Sequence, residues 1–119
     1  MKIQLRAWDE SQNYMAYQGS PDLETLQSFI HHFGDKELML CSLIKDRNGK
    51  DIYADDIVRC GYGAGIVKYD SGVFLVRWIG EDSDAYAELL SFNEWPYFRN
   101  EEDMFEVIGN VHENKSLLD

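Results

Sequence analysis

Apolar and polar positions alternate from the first residues. Ile3, Leu5 and Ala7 alternate with Gln4 and Arg6, and Trp8 follows. That period of two predicts a strand with one face buried. Asp9-Glu10-Ser11-Gln12-Asn13 is a polar turn, and Tyr14-Met15-Ala16-Tyr17 completes an N-terminal hairpin. The period then changes. Leu23, Leu26, Ile30 and Phe33 recur at helical spacing, with Phe29 beside them. Ser20 suits the N-cap, Pro21 the first helical position, and Gly34 the stop, so a helix is expected over 21–32.

The rest of the chain reads as strands. Residues 37–44 form a near-continuous apolar run, the mark of a buried strand. Asp46-Arg47-Asn48-Gly49 carries turn chemistry, because Asn and Gly tolerate positive φ. Ile52-Tyr53 and Ile57-Val58 flank Ala54-Asp55-Asp56, which predicts a corner. Gly61-Tyr62-Gly63-Ala64-Gly65 invites a phosphate-loop reading, but strand residues follow where a helix is required. Glycines before a hairpin instead mark a bent or bulged strand. Ile66–Tyr69 and Val73–Trp78 are that hairpin, turning at Asp70-Ser71-Gly72. Residues 85–92 have helix-favouring composition but lie between β segments, and strand is expected. Phe105–His112 is a final strand, with Gly109 at a bulge or close approach. Asn114 is expected to cap a last turn, with Leu117-Leu118 folded back.

The 119 residues, 45% of them apolar, suffice for a core without a disulfide or metal staple. Two portions are expected, packed as one unit: a hairpin plus helix over 1–36 and a β-rich body over 37–119. Cys41 and Cys60 lie in apolar runs with no ligand spacing, as buried thiols do. His31 and His32 are adjacent near the helix end, where they point about 100° apart and cannot chelate one metal well. No catalytic, metal or cofactor-binding motif appears, so catalysis and cofactors are not expected. No apolar run approaches the roughly 20 residues of a membrane span, and there is no secretory leader pattern. A cytoplasmic location is expected.

Charge sharpens the choice of partner. Twenty-two acidic residues oppose 11 basic ones, a net of −11. Residues 1–59 hold −3 of this and residues 60–119 hold −8. A negative surface repels phosphate backbones and anionic lipid, and suits a basic protein partner. The first candidate surface is therefore a protein-binding one: the aromatic loop residues Trp95, Tyr97 and Phe98, with the acidic Glu101 and Glu102. The alternative is a nucleic-acid face made of Lys45, Arg47, Lys50, Arg59, Tyr62 and Lys68, where cations interleave with an aromatic. Strand edges also offer self-association as a homo-oligomer.

Three blocks in order resemble the YopX family of phage and prophage proteins. They are Leu5-Arg6-Ala7-Trp8-Asp9 with Met15; Lys45 through Tyr53, continuing to Asp56-Ile57-Val58; and Glu106-Val107-Ile108-Gly109-Asn110 with Asn114 and Leu117-Leu118. Departures are Leu40-Cys41-Ser42-Leu43, where the family has Gln-Tyr-Thr-Gly, and Asp55, where it often has Gly. The resemblance implies a phage-encoded, mainly-β (α+β) protein: an SH3-like β-barrel with an N-terminal hairpin and one short helix packed on it. It carries over no catalytic residues.

Overall fold

A computed structural model of the chain describes residues 3–18, 25–61, 63–80, 86–89 and 104–118. They fall into two units, Met1–Cys41 and Ser42–Asp119, each with its own hydrophobic cluster.

In the first unit β1 (Leu5–Asp9) is the central strand. It pairs antiparallel with β2 (Tyr14–Tyr17) on one side and with the start of β3 (Glu37–Lys45) on the other. Asn13 takes φ +53° in the hairpin turn, a conformation Asn accepts more readily than most residues. The expected one-sided alternation of β1 does not hold. All five residues are buried, Arg6 among them at 2% exposure. A strand paired on both edges and covered on both faces has no solvent side, so its polar side chains must find partners inside. The Arg6 Nε donates toward Met39 Sδ at 3.4 Å.

Helix α1 (Leu26–Phe33) packs on this sheet. Its N-cap is Thr25, whose Oγ1 accepts a hydrogen bond from the Ser28 amide at 3.0 Å. The expected cap at Ser20 and start at Pro21 lie outside the described residues. The inward stripe is Phe29, fully buried, with Leu26 and Phe33 partly buried beside it. Ile30, expected in that stripe, is 45% exposed. It stands one residue, or about 100°, from Phe29, which places it on the flank. Gly34 ends the helix as expected, though in a right-handed conformation (φ −64°). A Cβ there would meet the Ile30 carbonyl oxygen at 2.6 Å, so close approach is what needs glycine.

The second unit takes up the chain within β3, whose end is hydrogen-bonded to β4 (Asp51–Tyr53). Four further strands and a C-terminal one follow: β5 (Asp56–Cys60), β6 (Gly63–Asp70), β7 (Val73–Trp78), β8 (Tyr86–Glu88) and β9 (Glu106–Asn110). Their antiparallel sheet has the order β8-β7-β6-β5-β9. A 3-10 turn spans Lys115–Leu118. Ile52, Val58, Val67, Val76, Leu89 and Phe105 are fully buried at its centre. The strand expected within 85–92 is present as β8.

The glycine and turn signals are realised locally. Ser71 (φ +51°) and Gly72 (φ +86°) join Asp70 to Val73 in a two-residue turn of the primed type. A Cβ at Gly65 would meet Val76 Cγ1 at 2.5 Å, so β6 and β7 approach only because that residue is glycine. Between the pairs Ile57↔Gly109 and Val58↔Val107 the ladder skips Ile108, the bulge expected near Gly109. The expectation for β3 is corrected. Met39 and Cys41 are buried, but Leu38 and Leu43 are 38% and 49% exposed. Leu43 adopts φ +63°, and the Ser42 hydroxyl accepts the Ile44 amide at 3.1 Å. That kink ends the regular alternation of the strand.

The chain is thus mainly β, an α+β fold of small-barrel kind. It has antiparallel sheets and, among the described residues, one short α-helix on the N-terminal sheet.

Candidate functional site

The Trp95, Tyr97, Phe98, Glu101 and Glu102 surface lies outside the described residues, as does Tyr62. The cations of the alternative face are described, and four of the five are engaged by carboxylates of the second unit. Lys45 pairs with Asp51, and Lys68 with Asp55 at 3.2 Å. Arg47 and Arg59 both reach Glu106, at 3.1 and 2.9 Å, and Asn48 donates to the same carboxylate. Arg47 foremost, then Arg59 and Asn48, hold the Glu106 carboxyl below the usual range. The remaining cation, Lys50, is exposed. A face whose cations are matched by adjacent carboxylates offers little net field to a phosphate backbone.

Two acidic residues organise this unit. Asp46 is 5% exposed. Its Oδ1 accepts the amides of Asn48 and Lys50, each at 2.8 Å, and its Oδ2 accepts the amide of Val107 at 2.9 Å. The turn closes through Asp46 N to Lys50 O at 2.8 Å and Gly49 N to Asp46 O at 3.0 Å, with Gly49 at φ +83°. This is a three-residue hairpin loop ending in a left-handed glycine, the reason Asn48-Gly49 stands here. Asp55 sits at the β4–β5 corner with φ +71°. Its carboxylate takes Lys68 Nζ on one oxygen and faces His112 Nε2 at 3.3 Å on the other.

The first unit holds a cleft of about 460 Å³ lined by Trp8, Asp9, Glu10, Ser11, Asp35, Lys36 and Glu37. Local structure brings these together. Trp8 and Asp9 end β1, Glu10 and Ser11 open the hairpin turn, and Asp35 and Lys36 follow α1. Glu37 begins β3 directly opposite Trp8. Asp9 is the buried centre, at 7% exposure. It accepts from Ser11 Oγ at 2.7 Å and from the Gln12 amide at 3.3 Å. Lys36 Nζ lies 4.0 Å from Asp9 and 3.6 Å from Asp35. The Ser11 hydroxyl, more than Lys36, draws the Asp9 carboxyl below its ordinary value against the opposing effect of burial. Glu10, Asp35 and Glu37 are exposed. Four carboxylates face one ammonium beside an indole, a formal balance of −3.

Sequence reasoning did not find this cleft. Trp8-Asp9 and Asp35-Lys36-Glu37 are 26 residues apart, and only the β1–β3 register joins them.

A family model described as YopX protein matches residues 4–119. The chain belongs to the YopX family. The YopX blocks quoted above now have physical roles in this chain. The first supplies the central strand and one wall of the cleft. The second is the Asp46 hairpin and the Asp55 corner, and the third is the bulged β9. The backbone at Asp55 is left-handed, a conformation that glycine adopts without strain. The crystal structure of protein EF1440 from Enterococcus faecalis is similar over 100% of this chain and 99% of that one, with a TM-score of 0.62 and 19% identity. That likeness speaks for the fold. No curated protein matches the chain.

Proposed function

We propose that this YopX protein is a phage- or prophage-encoded acidic interaction module. It works in the host cytoplasm and binds a basic segment of a host or phage protein, without catalysis. The observation that carries the reading is the cleft of the first unit, where the exposed carboxylates of Glu10, Asp35 and Glu37 stand around the buried Asp9 and the single ammonium of Lys36. Carboxylates attract a lysine or arginine head group. The chain's −11 charge steers such a partner in and turns nucleic acid away. The matched cations of the hairpin face support the same choice. Among the described residues no helix is long and apolar enough to cross a membrane.

The test is calorimetric titration with an oligolysine peptide and, in parallel, a single-stranded oligonucleotide. The expected result is peptide binding that the double variant Glu10→Lys, Asp35→Lys loses. The control, Asp70→Lys with Asp51→Lys, makes the same change in net charge at residues of the second unit that do not line the cleft and should keep it. Equal loss in both variants would reduce the effect to bulk charge. Binding of the oligonucleotide alone would move the function to the cationic hairpins.

A further inference from the structure

We draw no further inference here: the strongest candidate, the groove of about 200 Å³ in the second unit lined by Ile66, Arg77, Trp78, Ile79, Gly80 and Leu118, is a largely apolar face, and nothing in the structure shows what covers it.

Discussion

The Oδ2 atom of Asp46 accepts the backbone amide of Val107 at 2.9 Å, joining positions 61 apart in sequence. The same carboxylate closes its own hairpin through Asn48 and Lys50. One buried side chain thereby fixes a turn and anchors β9 beside it. The Arg47 amide reinforces the tie by donating to the Phe105 carbonyl at 2.9 Å.

Asp46→Ala leaves three amides without their acceptor. Hydrogen bonds to a charged group contribute about 1.5–3 kcal/mol each and do not simply add, so a loss of about 2–4 kcal/mol is expected. Asp46→Asn keeps one oxygen and should fall between. Urea unfolding reads both, and an unchanged midpoint in Asp46→Ala would remove Asp46 from its structural role.

Gly109 and Asn114 are a second coupled pair. The Asn114 Oδ1 accepts the Asn110 amide at 3.1 Å and occupies the space a Gly109 Cβ would enter, 2.6 Å from it. Gly109→Ala should cost about 1–3 kcal/mol through overpacking. In an Asn114→Ala background the added cost should shrink by at least about 0.5 kcal/mol. A double-mutant cycle showing strict additivity would refute the contact.

The β6–β7 turn is open to improvement. Ser71 is exposed at φ +51° and precedes Gly72, while Asn-Gly is the preferred pair for such a turn. Ser71→Asn should raise stability by about 0.5 kcal/mol. Gly72→Ala, at φ +86°, should lower it by about 1 kcal/mol or more. Thermal midpoints of the two variants should move in opposite directions.

Acid should destabilise the fold through Asp9 and Glu106. Both carboxyls titrate lower in the folded chain than their ordinary values of 3.8 and 4.5. As pH falls, the unfolded chain therefore takes up these protons first. Their contribution is complete above the ordinary values and is lost as pH drops through the lowered folded ones. Denaturant midpoints taken from about pH 7 to about pH 3 should fall mainly at the acid end. Glu106→Gln should flatten part of that decline, and an unchanged slope would count against the Arg47–Glu106–Arg59 pairing.

Partner binding separates two surfaces. If the cleft holds the basic segment, oligolysine affinity should drop with added salt as exposed charges are screened over a Debye length of roughly 10 Å at 0.1 M. It should survive Trp95→Ala with Tyr97→Ala. Loss in that pair, with the fold intact by circular dichroism, would shift the docking surface to the aromatic loop.

The sequence by itself determined the local choices. The N-terminal hairpin, an amphipathic helix, the Asn48-Gly49 turn, the β6–β7 hairpin and the bulge beside Gly109 were legible because period and turn chemistry are short-range properties. Gly63 and Gly65 are strand residues, as expected, but they lie within β6 in unbroken register with β5 and form no bulge. What the sequence did not contain was burial set by a third dimension. Arg6 reads as a solvent-facing residue of an alternating strand, yet it is buried because β1 is covered on both faces. Ile30 reads as core and is exposed, since the helix buries only the stripe through Phe29. The acidic cleft depends on a register that sets Trp8 opposite Glu37, and Asp46 reaches Val107 only once β9 is in place. Pairing between distant segments is chosen by packing and hydrogen-bond satisfaction across the whole unit. No window along the chain encodes it, and the tertiary structure alone decides it.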